Sequence, residues 1–429
     1  MEKVLIITYY WPPAGGPGVQ RWLKFVKYLR DFGIEPVVYI PENPNYPMLD
    51  KSFVNEIPQG ITILKKPIFE PYQLAGIFAK NQTKTISKGI IAAEKNQSLL
   101  QKSLLFIRGN LFIPDARKFW IKPSVKFLKN YLEEEGIKKI ITTGPPHSLH
   151  LIGLKLKQEL DLKWIADFRD PWTQIGYHRK LKLTEASKQK HENLEREVLN
   201  SADQIITTSF TTKAEFSEKT SKSINVITNG FDGIENLEEN IELDNKFSIS
   251  HIGSLLSERN PENLWLAIAE LVQDNSDFAG DLELKLAGTI SEEVIASIKS
   301  VGLGEKLQLL GYIDHKQAIA LQQKSRLLLL IEIDSEETRG IIPGKLFEYL
   351  MAKRPILAIG PEKWDVEQIL KETGAGEYFQ YLEKKQLKSI ILANYGYYKN
   401  RESNFVKGDI QQYHRKNLTK KLANLLKTV

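Results

Sequence analysis

The 429-residue sequence contains no cysteine. Disulfides, cysteine-based zinc sites and thiol catalysis are excluded together, and the composition fits a reducing compartment. Long apolar runs are absent as well. The densest, Leu327–Ile331, falls far short of the roughly 20 residues that a transmembrane helix needs. The N-terminus, MEKVLIITYYWPP, carries one Lys and a brief apolar stretch stopped by Pro12, too short for a signal peptide. Membrane contact is therefore expected to be peripheral only. There is no HExxH and no cluster of histidines, so no metal site is expected. No GxSxG follows any strand-like run, which argues against a Ser-His-Asp hydrolase. No repeat of solenoid or propeller period is visible.

What is present is ordinary in amount and uneven in place. Apolar residues make up 42% and charged residues 26%, which excludes wholesale disorder. The length predicts two or three domains, each able to bury a core. The net charge is +6, from 59 Lys and Arg against 53 Asp and Glu. Residues 81–130 hold ten Lys or Arg against two acids, a local +8, so the other 379 residues together carry −2.

The apolar pattern reads as two α/β halves. Val4–Thr8 is a continuous apolar run, as a buried parallel strand requires. Trp22, Phe25, Val26, Leu29 and Phe32 then share one face of a helix, which Gly33 is placed to end. Pro36–Ile40 is the next strand. Further strands are expected at Ile137–Thr143, Lys163–Phe168, Gln204–Thr208 and Ile224–Ile227, with helices at Ser148–Leu160 and 185–200. Residues 233–245 are acidic and poor in large apolar side chains, as a linker is. A second series follows, with strands near 247–252, 282–287, 306–310, 326–332 and 355–359. Its helices are expected near 261–274, 291–301, 314–323, 344–353 and 363–373. Residues 411–427 form a last, basic helix with Leu418, Leu422, Leu425 and Leu426 on one face. Such alternation makes doubly wound parallel sheets, whose ligands bind beyond the C-terminal ends of the strands. Two domains of similar size, 1–238 and 246–410, are expected to face each other across a cleft.

Five strand-end loops carry the candidate chemistry. Pro12–Gly18, with Gly15 and Gly16, precedes a helix and suits a phosphate, a sugar or simply a tight turn. It matches neither GxGxxG nor GxxxxGK(S/T). Gly144-Pro145-Pro146-His147 puts an imidazole at a helix start, either to bond a hydroxyl or a developing charge or to act as a cap. Asp167-Phe168-Arg169-Asp170 sets three charges at a buried strand end. They either clamp one another or face the cleft. His251-Ile252-Gly253-Ser254 opens the second half, and Arg259 follows, either on a diphosphate or as a solvated loop arginine. Glu336–Leu350 joins a strongly apolar strand to a helix. The amides from Gly340 to Gly344 make an anion site, with Lys345 beside it. Glu348 is placed either to accept two ribose hydroxyls or to pair with Lys345.

Taken together, these loops resemble GT-B nucleotide-sugar glycosyltransferases, close to glycosyltransferase family 4. The matching pieces are ITYYWPPAGGPGVQRWLKFVKYL, TTGPPHSLHLIGLKLK, WIADFRDPW, ITTSF with VITNGFD, HIGSL with ERNPENL, and GIIPGKLFEYLMAKRPILAIG. They occur in family order over nearly the whole chain, residues 45–110 excepted. The resemblance implies two Rossmann-like domains, an acceptor-binding one at 1–238 and a donor-binding one at 246–410. It also implies a helix at 411–429 that crosses back onto the first. It implies transfer of a sugar from a nucleoside diphosphate donor, with retention at the anomeric carbon and with neither metal nor cofactor.

The resemblance also implies roles. Gly15 and Gly16 would lie near the donor phosphates and sugar, and His147 on the donor sugar. Arg259 would take the place of a diphosphate-binding lysine beside Gly253 and Ser254. Tyr312 and Ile313 would border the base, and Glu348 would bind the ribose. Thr338, Arg339, Gly340, Ile341, Ile342 and Gly344 would run along the donor. The candidate catalytic set is His147, Asp167, Arg169, Arg259 and Lys345. In two places the sequence departs from the family. Position 340, where the family has the first Glu of a Glu-x7-Glu pair, is glycine. The family's Gly-Arg beside the diphosphate is Gly253-Ser254. Glu336, Glu337, Thr338 or Arg339 stand near enough in sequence to substitute for the first, and Lys345 for the second.

Within 81–130 the charges are interleaved with Leu104, Leu105, Phe106, Ile107, Leu111, Phe112, Ile113, Phe119, Trp120 and Ile121. Lys102, Arg108, Lys118 and Lys122 suit docking on an anionic bilayer. The alternative is a solvated helical insertion whose apolar residues are core. No nucleic-acid-binding signature accompanies them, so no nucleic-acid partner is expected. The expectation is a retaining glycosyltransferase serving a lipid-linked glycan acceptor in surface polysaccharide biosynthesis. It would be cytoplasmic and peripheral on the inner face of the membrane. The rival readings are a nucleotide-sugar 2-epimerase and a non-catalytic sugar-nucleotide-binding scaffold.

Overall fold

The computed structural model describes residues 1–71, 99–174, 176–179, 181–233, 242–402 and 408–429, the side chains at 17, 99–102, 104, 177 and 179 excepted. Most of the expected linker lies outside these residues, as do Lys84, Lys88 and Lys95 and the side chain of Lys102. The chain divides into two compact units, Met1–Asn229 with Arg415–Val429, and Gly230–His414.

In the first unit, β1 (Glu2–Ile7), α1 (Pro17–Leu29), β2 (Ile34–Pro41), β3 (Thr62–Lys66), α2 (Leu99–Leu111) and α3 (Ile121–Glu134) come first. Then come β4 (Lys139–Gly144), α4 (Ser148–Glu159), β5 (Lys163–Phe168), α5 (Gly176–Arg179), α6 (Glu185–Ser201), β6 (Gln204–Thr207), α7 (Phe210–Ser217) and β7 (Ile224–Val226). The strands form one parallel sheet in the order β3-β2-β1-β4-β5-β6-β7. Its central strands are covered on both faces. Leu5, Ile7, Ile140 and Trp164 enter one core, while Val4, Ile6, Ile141 and Ile165 enter the other. A period-2 chain with two buried faces reads as an unbroken apolar run, which is what VLII and KIIT show. The strand order reverses between β1 and β4. The loops after these two strands are where a doubly wound sheet binds its ligands.

The second unit repeats the plan with β8 (Phe247–Ile252), α8 (Glu262–Asp274), α9 (Ser276–Asp281), β9 (Leu282–Ala287), α10 (Glu292–Ser300), β10 (Leu307–Gly311), α11 (His315–Lys324) and β11 (Leu327–Ile331). It continues with α12 (Gly344–Ala352), β12 (Ile356–Gly360), α13 (Asp365–Thr373), β13 (Gly376–Gln380) and α14 (Lys384–Lys399). Its parallel sheet runs β10-β9-β8-β11-β12-β13, so the order reverses between β8 and β11. The sequence pattern did not announce β13. It is an edge strand with no fully buried residue, so it lacks the apolar run that marks its neighbours.

The last helix, α15 (Arg415–Thr428), belongs to the first unit. Leu418, Leu422, Ala423 and Leu426 are buried in the core formed with α1, and Arg415 donates to the Gln20 side chain at 2.8 Å. Each such leucine stabilises the unit by about 1.5–3 kcal/mol through burial.

The basic segment is sorted residue by residue. Leu105, Ile113, Trp120 and Ile121 are core, and Trp120 stacks on Tyr39 at 4.8 Å. Phe106, Ile107, Leu111 and Phe119 are exposed. Arg117 is an internal ion pair with buried Glu70 at 2.9 Å. Lys118 donates to the Leu111 carbonyl at 2.5 Å and lies over the Phe112 and Phe119 rings, Arg108 is half-buried, and Lys122 is exposed. Among the described residues, no helix is long and apolar enough to cross a membrane.

Candidate functional site

In the second unit the reversal between β8 and β11 brings four elements to one place. β8 is followed by Gly253, whose N–H donates to Ala287 O at 2.8 Å and whose φ is +126°. That backbone is open to glycine, and the position also has no room: a Cβ there would sit 2.6 Å from Lys345 Nζ. Lys345 is the second residue of α12, so its ammonium lies beside the first turn of that helix, near its unsatisfied amides. Among the described residues it has no hydrogen bond or ion pair. Burial, then Arg259, depress its pKa to about 8, with Glu332 and Glu348 opposing. The expected alternative of a Lys345–Glu348 salt bridge is thus not formed. Glu348 instead accepts from Gln322 Nε2 at 3.0 Å.

Arg259 ends a short turn after β8. Its Nε and Nη2 both donate to Glu332 Oε1, at 3.0 and 2.7 Å. The solvated-loop alternative for Arg259 therefore fails. Glu332 directly follows β11 and is only 2% exposed. The one sequence signal for Glu332 is a charge directly after the apolar run LLLLI. His251, buried in β8, is pushed down to about 3 by burial, then by Lys345, and is a neutral imidazole held to Leu329 O at 3.0 Å.

The 336–344 loop is different. Thr338 is buried and its hydroxyl donates to Ile333 O and Ser335 O, at 2.6 and 2.8 Å. Its hydroxyl therefore closes the loop. Arg339 pairs with Glu336 and Glu362, so its charge is compensated locally. Ile341 O accepts from Trp364 Nε1 at 2.7 Å, while Gly340 and Ile342 are half-buried. Gly344 and Ser254 are exposed. Tyr312, just past β10, is 92% exposed and Ile313 half-buried.

In the first unit the mutual clamp, one of the two readings open for Asp167, Arg169 and Asp170, gives way to three separate arrangements. Asp167 is fully buried, and its oxygens accept from Arg21 at 2.7 and 3.3 Å, from Trp22 Nε1 at 2.9 Å and from Thr143 Oγ1 at 2.9 Å. With both oxygens occupied, Asp167 fixes α1 to the end of β5 and is not a substrate-contacting group. That corrects its place in the catalytic set. Arg21 also donates to Ile227 O and Thr228 O, at 2.8 and 3.0 Å.

Arg169 points the other way. It donates to Pro145 O, lies over the Tyr10 ring at 5.5 Å, and occupies the space a Gly18 side chain would need. A side chain at position 18 would therefore have to displace the guanidinium. Arg169 ties the 12–18 loop to the 144–147 loop. Gly15 N–H donates to Met48 O at 3.0 Å, and Gly16 O accepts from Val19 and Gln20 at the start of α1. Asp170 makes no hydrogen bond or ion pair with the described residues, and burial pushes its carboxyl up, with Arg169 opposing.

His147 is 4% exposed and stacks on Trp172 at 4.9 Å with planes 4° apart. Among the described residues, neither ring nitrogen has a hydrogen-bond partner. Burial, then the neighbouring His150 and His178, hold it well below the usual imidazole range, so it is neutral and able to donate or accept. It caps nothing with its side chain. No group of three or more His, Asp or Glu side chains among the described residues is arranged to hold a metal ion.

No protein-family model matches the sequence, and no curated protein matches it in sequence. Solved structures do match in fold. The Anabaena protein Alr3699/HepE, in complex with UDP, aligns with a TM-score of 0.59 at 13% identity, covering 100% of both chains. The lipopolysaccharide outer core galactosyltransferase WaaB, in its apo form, aligns with a TM-score of 0.58 at 11% identity, covering 100% of this chain and 99% of that one. Sucrose-phosphate synthase from Thermosynechococcus elongatus aligns with a TM-score of 0.56 at 13% identity, again over 100% and 99%. Two parallel sheets of seven and six strands, each flanked by helices, matched over the full chain, give this protein the α/β GT-B fold of nucleotide-sugar glycosyltransferases.

Proposed function

We propose that the protein is a retaining glycosyltransferase that moves a sugar from a nucleoside diphosphate donor to a lipid-linked glycan. The observation that carries this reading is Lys345: a largely buried ammonium with no ion pair among the described residues, beside a helix start, with Glu348 one turn on. A cation so placed is destabilised until an anion arrives. The fold neighbours support the class of anion, since the Anabaena protein was solved with UDP and with UDP and glucose. WaaB and WaaG, described as glycosyltransferases of lipopolysaccharide, support a glycan acceptor.

In this reading the diphosphate lies against Gly253, Lys345 and Arg259, and the ribose on Glu348, displacing Gln322. Tyr312 and Ile313 border the base, and Ile341, Ile342 and Gly340 line the donor beside Gly344 at the helix start. As the glycosidic bond breaks, the leaving diphosphate gains negative charge. Lys345, Arg259 and the first amides of α12 are fixed before that charge develops, the arrangement that gives the largest catalytic term. His147, neutral and with both nitrogens unused, bonds a sugar hydroxyl without adding a charge. Arg169, Gly15 and Gly16 shape the loops around it. The exposed Phe106, Ile107, Leu111 and Phe119, with Lys118 and Lys122 beside them, meet an anionic membrane surface on the cytoplasmic side.

The test is incubation with a panel of nucleotide sugars, with and without lipid-linked glycan. Release of nucleoside diphosphate that depends on acceptor is expected. A new sugar epimer without acceptor would mean an epimerase. Tight donor binding with no turnover in any mixture would mean a scaffold.

A further inference from the structure

Glu332 sets a puzzle. It is a carboxylate, almost wholly buried, beside Arg259 and Lys345. A buried charge is retained only when it is paired and bonded. Here Oε1 accepts three bonds, from Arg259 Nε, Arg259 Nη2 and the Ile333 N–H, the last at 2.9 Å. The main chain is fixed as firmly. Glu332 N–H donates to Ile359 O at 2.9 Å, and Glu332 O accepts from Tyr381 OH at 2.8 Å. The carboxylate is therefore anchored to the sheet, whereas Arg259 rises from a three-residue turn on an exposed loop. The Arg259 Nη1 group makes no hydrogen bond to the described residues.

We propose that Glu332 is a positioning residue for Arg259: it anchors one edge of the guanidinium to the end of β11 and leaves Nη1 for the donor diphosphate. This rests on the donor-site reading above. A free arginine side chain loses about 2 kcal/mol of rotamer entropy when it is immobilised, and an anchored one has already lost most of it. Glu332 thus trades some positive potential for order. It also faces Lys345, whose titratable and charged surroundings are the neutral His251 on β8, Arg259 on the loop after it, Glu332 after β11 and Glu348 on α12.

The test is calorimetric titration of the full-length protein with ADP, GDP, UDP, CDP and dTDP, using the tightest binder thereafter. Glu332→Ala is expected to weaken that binder about tenfold or more, and Glu332→Gln, which keeps the acceptor oxygen, to recover most of it. In an Arg259→Ala background, Glu332→Ala should cost nothing further. Independent, additive losses would show that Glu332 does not act through Arg259 and would overturn the proposal. Should Glu332→Ala fail to fold, the pH profile of Glu332→Gln decides. Without the Glu332 charge the alkaline fall in affinity must begin at lower pH than in the wild type, and an unmoved profile contradicts the proposal. If the wild type binds none of the five nucleotides, the donor-site reading itself fails, and this inference with it.

Discussion

Lys345 is held in its charged form at a cost, and the cost has a measurable consequence. Its pKa lies at about 8 instead of 10.5, so between these values the unfolded chain binds a proton that the folded one does not. Stability from this group therefore rises with pH across that window, and the penalty is complete below it. A bound diphosphate reverses the preference. Nucleoside diphosphate binding should take up protons above about pH 8, and affinity should fall as pH rises further. Calorimetry in buffers of different ionisation enthalpy checks this, and proton-neutral binding would contradict it. Asp167 behaves oppositely, as structure and not site. Asp167→Asn leaves Arg21 buried without its counter-charge and should destabilise the first unit by about 3–5 kcal/mol. Denaturant unfolding measures that, and nucleoside diphosphate affinity in the second unit should not change. Neither pairing could be read in advance. Arg21 and Asp167 are 146 residues apart, and Arg259 and Glu332 are 73 apart. Sequence adjacency pointed to Arg169 for the first and to no acid for the second.

Elements were more legible than pairings, because periodicity is local. The central strands announced themselves as unbroken apolar runs, since each is buried on two faces. The helix of residues 411–427 showed its leucine face, which the structure buries against α1. Leu422→Ala in that face should cost about 2–5 kcal/mol, read as a lower unfolding midpoint of the first unit. An unchanged midpoint would mean that the helix is only loosely attached. Edge strands β3 and β13 were not legible, because half-exposed residues carry no strong pattern. The glycines were legible as loops but not as reasons. Gly18 makes room for Arg169, and Gly253 for Lys345, each a contact with a distant part of the chain.

At the scale of the molecule, the positive charge of the described part of 81–130 is partly used within the fold. Arg117 is spent internally on Glu70, and Lys118 is folded over two phenylalanine rings. What faces outward is a set of exposed apolar side chains with Lys122 close in sequence. Replacing Phe106, Phe119 and Lys122 together by Ser should release the protein from anionic liposomes while leaving nucleoside diphosphate affinity intact. Undiminished pelleting would contradict membrane docking through this surface. The fold was legible because two alternating series and their strand-end loops cover nearly the whole chain. The proposed donor site was legible in its residue types, whereas the contacts among them, such as Arg259 with Glu332, were not. The most direct test of the central claim is transfer of labelled sugar from a nucleotide-sugar panel into lipid-extractable product. Wild-type protein should form product only with acceptor, and Lys345→Ala and Glu348→Ala should each reduce it by about tenfold or more. Product from no donor, or product indifferent to both substitutions, would contradict the account.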